Sequence, residues 1–187
     1  MAAVIAACVL AAGGSRRYGS TKHLERVGDE SWVRRTARLA HEAGCSPVLV
    51  VTGADGERVA ANLGGLSEVR PIHHPGWERG IGSSIAAGVE ALGDDPSCDG
   101  VLFLVCDQLE LDAAILGRLL AAFDAEPRRI VACAYAGTVG IPALFGRGWF
   151  EQLRALDGDR GAKSLLLAGE AARIDIEWAA GEADRDR

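Results

Sequence analysis

Runs of strand length, apolar at nearly every position, alternate along the chain with stretches whose apolar residues recur at helical spacing. The predicted strands are Ala3–Leu10, Pro47–Thr52, Val69–His73, Val101–Cys106 and Ile130–Ala134. Several are apolar without alternation, as expected of strands covered on both faces. The predicted helices are Trp32–Ala43, Glu57–Leu63, Ser83–Leu92, Ala113–Phe123, Gly148–Leu156 and Ala162–Leu167. In the first of them Trp32, Val33, Thr36, Ala37, Leu39, Ala40 and Ala43 fall on one face. Strand and helix alternate with short glycine-containing joints, which predicts a three-layer α/β fold around a mostly parallel central sheet. Residues 1–180 read as one domain, and 181–187 as a charged, frayed tail.

Composition narrows the function classes. Twenty Lys and Arg against 26 Asp and Glu give a net charge of −6, which argues against a nucleic-acid or anionic-membrane partner. Five cysteines form no CxxC pair and leave an odd thiol, so neither a disulfide framework nor a zinc site is expected. The apolar run near the N-terminus is too short to span a bilayer and reads as a buried strand, which predicts a cytoplasmic protein. Eighteen of the 20 basic residues are Arg, so Lys22 and Lys163 stand out.

In an open α/β sheet, ligands bind outside the carboxyl ends of the strands. The segment after the first strand, Leu10-Ala11-Ala12-Gly13-Gly14-Ser15-Arg16-Arg17-Tyr18-Gly19-Ser20-Thr21-Lys22, combines small residues with three cations. Free backbone amides there can cradle phosphate oxygens, although the spacing is neither a Walker loop nor a dinucleotide fingerprint. A second segment, His74 to Ser84, opens a helix; Ser83 or Ser84 reads either as its cap or, with Gly82, as a nucleotide contact. Asp107 ends the run Val101–Cys106 and suits a divalent cation, because Asp112 can cap the following helix instead. Gly140-Ile141-Pro142 and the loop from Asp157 to Lys163 suit a second anionic substrate, with Asp159 and Lys163 as its contacts, or equally a plain turn.

Together these segments resemble the MobA/MocA-like NTP transferases, most closely the branch with molybdenum cofactor cytidylyltransferase. Leu10 to Lys22 fits the family's LAAG-x-S-x-R-x-G-x-x-K signature, His74 to Ile85 its N-P-x-W-x-x-G-x-x-S-S-L stretch, Asp107-Gln108 its D-Q-P turn, and Gly158 to Lys163 its G-D-x-G-A-R/K loop. His74 replaces Asn, Leu109 replaces Pro, and Asp175-Ile176-Glu177 stands where the family closes with D-I-D-T-P-E-D. The resemblance implies a Rossmann-like nucleotidyltransferase fold. It also implies Mg²⁺-dependent transfer of a nucleoside monophosphate, CMP from CTP in preference to GTP, to a molybdopterin-type acceptor, with release of pyrophosphate. A molybdoenzyme or its chaperone is the implied partner. Lys22, Arg17 and Asp107 would then be catalytic. Leu10, Ala11, Ala12, Gly13, Gly14, Ser15, Arg16, Gly82, Ser83 and Ser84 would hold the nucleotide. Asp107, with Asp175 and Glu177, would hold the metal. Two rivals stand beside this: transfer to a sugar, alcohol or phospholactate acceptor, and a non-catalytic cofactor-binding accessory protein.

Overall fold

The computed structural model describes residues 3–13 and 22–182. Strand β1 (Ile5–Ala11) is buried at all seven positions. After a small antiparallel hairpin, β2 (Arg26–Val27) and β3 (Glu30–Ser31), comes helix α1 (Trp32–Glu42). Then follow β4 (Val48–Thr52), α2 (Gly56–Asn62), β5 (Val69–His73), α3 (Ile81–Leu92), β6 (Gly100–Val105) and α4 (Ala113–Ala121). The chain closes with β7 (Ile130–Tyr135), β8 (Thr138–Gly146), α5 (Phe150–Arg154), α6 (Lys163–Ala168) and β9 (Arg173–Glu177).

The seven-stranded sheet runs β5-β4-β1-β6-β8-β7-β9. All pairings are parallel except those of β8, which lies antiparallel to β6 and β7. Two cores flank the sheet. Ala7, Val9 and Ala11 of β1 pack with Val33, Ala37, Ile115 and Leu119 of α1 and α4. Ala6, Cys8 and Leu10 face the opposite way, with Ile85 and Val89 of α3, Leu153 of α5 and Leu166 of α6. Successive strand side chains point to opposite faces, so a strand covered on both sides must be apolar throughout.

The five predicted strands and six predicted helices are all present, with ends moved by one or two residues in most cases. Sequence reasoning missed β8, β9 and the hairpin. In β8 the register with β7 passes from Ala132↔Ala143 to Cys133↔Gly140, so Ile141 and Pro142 fall in an irregularity of the ladder. A proline donates no ladder hydrogen bond and is tolerated at such a bulge, which is why Gly140-Ile141-Pro142 reads as a loop. The tail boundary also moves. Ala179–Glu182 forms a 3₁₀ turn with Gly181 packed near Trp178 and Tyr135, while 183–187 lie outside the described residues. All five cysteines are free and buried, and no helix among the described residues is long and apolar enough to cross a membrane.

Candidate nucleotide-binding site

A cleft of about 350 Å³ opens at the carboxyl ends of β1 and β6, against the start of α3. Leu10, Ala12, Gly13 and His23 form one wall. Trp77, Gly80, Ile81 and Ser84 form another, with Val105, Cys106 and Asp107 beneath and Asp159 at the rim. The cleft therefore lies where two parallel neighbours send their chains in different directions, the expected ligand position for an open α/β sheet.

Asp107, which lines the cleft, accepts at Oδ2 from Lys22 Nζ at 3.2 Å. The lysine side chain is 9% exposed and the carboxylate 28%, so the pair is shielded, and the carboxylate is its member in the cleft lining. Both residues were expected to be functional, and the fold brings them together across 85 residues of sequence. Asp112 caps α4 by accepting from Ile115 N–H, which leaves Asp107 with no capping duty there.

His23 is a site residue that sequence reasoning missed. Its Nε2 lies 3.0 Å from the Gly13 carbonyl oxygen, which can only accept, so the ring donates through Nε2–H. Burial lowers the pKa of this imidazole, and the Lys22 charge acts in the same direction; the Gly13 carbonyl, Asp107 and Asp55 oppose them. Trp77, in the sequence only one position of the His74–Ile85 stretch, also lines the cleft. Its ring packs where a side chain on Gly53 would have to lie. The thiol of Cys106, though it lines the cleft, is pushed far up by burial and then by the Asp107 charge, so it is no nucleophile at neutral pH.

The start of α3 corrects part of the expectation. Neither Ser83 nor Ser84 caps the helix; Gly80 does, without a side-chain bond. Ser83 Oγ–H donates back to Gly80 O at 2.8 Å. Its single proton is thereby used, so it accepts from His74 Nε2–H at 3.0 Å. Ser84 does line the cleft. The Gly82 amide, expected to face the nucleotide, donates to Gly158 O at 2.8 Å, and a Cβ there would meet Asp157 O at 2.8 Å. Gly82 thus serves to let the loop from Asp157 dock on α3. Gly80 has φ of +109°, a conformation that side-chain-bearing residues rarely adopt, and the same loop crowds it.

Asp159 of that loop joins the cleft lining, whereas Lys163 is exposed at the start of α6 and outside it. Gly14, Ser15, Arg16 and Arg17 lie outside the described residues. Asp175 and Glu177 are the clearest departure. They sit on β9, three strands from β6, and Asp175 is held by Arg173 at 2.6 Å. Strands are spaced about 4.8 Å apart, so these carboxylates stand roughly 14 Å along the sheet from the end of β6. They cannot complete a metal shell with Asp107 in this arrangement.

A divalent ion therefore has a partial set of hard ligands here. Among the described residues no group of three or more His, Cys, Asp or Glu can hold one. Asp107 alone, with water and substrate phosphates, fits an ion that arrives with a nucleotide, because Mg²⁺ commonly keeps several waters and takes one or two carboxylates.

The histidines give the fold a pH dependence. His74 is 8% exposed and its pKa is lowered, first by burial and then by Arg79 and His73. Both His23 and His74 bind protons more weakly folded than unfolded, so their contribution is present above the ordinary value of 6.5 and is lost as pH falls below it. The melting temperature is expected to drop between pH 7.5 and 5.5. His74→Asn, which keeps a donor for Ser83, should shrink that drop; an unchanged difference would acquit His74.

Residues 7–173 match the MobA-like NTP transferase domain. Among curated proteins, the chain is 28% identical over 169 residues to the purine catabolism protein PucB of Bacillus subtilis, covering 86% of this chain and 80% of that one. It is 31% identical over 168 residues to the nicotine blue oxidoreductase of Paenarthrobacter nicotinovorans, covering 89% and 78%. A probable molybdenum cofactor guanylyltransferase of Opitutus terrae is 31% identical over 124 residues, 65% of this chain and 56% of that one. The crystal structure of Rv0371c from Mycobacterium tuberculosis superposes with a TM-score of 0.80 at 27% identity, covering 96% and 90%. A structure of that protein in complex with manganese superposes with a TM-score of 0.74 at 26% identity, covering 96% and 90%.

Proposed function

The chain belongs to the MobA-like NTP transferase family, and from that premise we propose that it transfers CMP from CTP to a molybdopterin-type acceptor and releases pyrophosphate. The observation that carries the proposal is the shielded Lys22–Asp107 pair, whose carboxylate lines the cleft. An acceptor phosphate oxygen attacks the α-phosphorus, and the bond to the bridging oxygen of the β-phosphate breaks. The acceptor is already an anionic nucleophile, so the protein's part is to position it and to balance charge. Lys22 meets the charge that builds on the leaving pyrophosphate, with Arg17 and the backbone from Gly13 through Ser15 and Arg16 as further donors. The apolar residues of the two walls, Leu10 and Ala12 with Trp77 and Ile81, take the base, and Ser84 offers a hydroxyl beside it. Asp159 at the rim orients the acceptor, with Lys163 beyond it. A divalent ion held by Asp107, Mg²⁺ in our reading, would neutralise charge at the α-phosphate; the manganese complex of the mycobacterial relative supports a metal at this step. We place the reaction in the cytoplasm, with a molybdoenzyme or its chaperone receiving the product.

The relatives' names differ among purine catabolism, an oxidoreductase and a guanylyltransferase, so base and acceptor are what the test must decide. Pyrophosphate release is measured with a panel of NTPs and acceptors, with Mg²⁺ or Mn²⁺. CTP with molybdopterin should be fastest; a different fastest pair corrects the substrate assignment. A chain that binds nucleotide without releasing pyrophosphate supports the accessory-protein reading, which the position of Asp175 and Glu177 outside the cleft favours.

Base choice turns on Ala12, which lines the cleft and is only 4% exposed. Its methyl narrows the base wall. A methyl-sized term is worth about 10–200-fold in discrimination, so Ala12→Gly should raise kcat/KM for GTP and change that for CTP little. Competition between the two nucleotides measures this, and a wild type that prefers GTP would remove Ala12 from the argument.

A further inference from the structure

We infer that His23 is a positioning residue for the triphosphate, acting by clamping the Gly13 carbonyl to the turn that carries Lys22. The inference rests on the nucleotidyltransferase reading of the same cleft. Gly13 is the last described residue after β1, and Lys22 begins the 3₁₀ turn Lys22–Leu24. β1 ends two residues before Gly13, and the Lys22 turn leads into β2. His23 Nε2–H bonds Gly13 O at 3.0 Å, and the neighbouring Lys22 Nζ bonds Asp107 at 3.2 Å. The segment after β1, the Lys22 turn and the end of β6 are thus tied together.

The direction of the first bond gives the clamp its second effect. A carbonyl engaged by His23 has its negative end met by a donor, so it is held in place and not left to face an anionic ligand. The ring itself lines the cleft, so it acts at the site and not from behind it. With Nε2 holding the proton, neutral His23 leaves Nδ1 as an acceptor. The remaining charged groups that act on the ring are Lys22, Asp107 and Asp55.

Three variants and one spectrum decide the matter. His23→Phe keeps a ring and removes the donor, His23→Ala removes both, and His23→Gln restores an N–H at similar reach. His23→Phe and His23→Ala should raise KM for the NTP by roughly 3- to 10-fold, the scale of one lost hydrogen bond. Their kcat should stay within about twofold, and His23→Gln should return KM most of the way. A purely packing role would instead let Phe, not Gln, rescue, and that result overturns the proposal. The ¹⁵N spectrum of the imidazole in the nucleotide-free protein supplies an arm that needs no turnover. It should show the Nε2–H tautomer at neutral pH; an Nδ1–H tautomer refutes the clamp. Absence of turnover with every NTP in the wild type would strike the nucleotidyltransferase reading, while the tautomer would still decide the clamp.

Discussion

Asp107→Asn is expected to lower pyrophosphate release by about 10²–10³-fold, the scale for losing one preorganised charge at a developing transition state. The change is nearly isosteric and sits at a strand end, so the far-ultraviolet circular dichroism should be unchanged. Stability should fall modestly, because Lys22 loses a charged acceptor at 3.2 Å. That loss is about 1–3 kcal/mol, a few degrees in Tm for a chain of this size. Raising the divalent-ion concentration should recover part of the rate if Asp107 holds the metal. Near-normal turnover at limiting metal would take Asp107 out of the site.

Lys22→Met should be comparably severe. The thioether fills much of the same space but carries no charge and no donor, so kcat/KM for the nucleotide should fall by about 10²-fold. Lys22→Arg should not restore it, because the guanidinium is planar and larger than an ammonium set 9% exposed against one carboxylate. Lys163→Ala is the control. That residue is exposed at the start of α6, whereas Lys22 is paired with the cleft-lining Asp107, so NTP affinity should hold while acceptor KM rises. Equal losses of NTP affinity at Lys22 and Lys163 would contradict the division of labour.

What the sequence by itself determined was layering and position along the chain. Burial on both faces demands apolar residues at every strand position, so β1, β4 and β6 were legible without any knowledge of their neighbours. Residues just past strand ends were legible as the site for the same reason, since Asp107 has no cause to end an apolar run unless something polar meets it there. Tertiary structure decided what depends on register and order. β8 was hidden because Ile141 and Pro142 sit in a ladder irregularity that only its partners define. Asp175 and Glu177 follow the family's acidic pattern, yet strand order puts three strand spacings between β9 and β6. Gly82 reads as a phosphate contact until the Asp157–Gly158 loop docks and takes its amide. His23 carries no motif at all. Its role follows from where the chain returns after Gly13, and that return is fixed by packing between segments far apart in sequence, which no local pattern records.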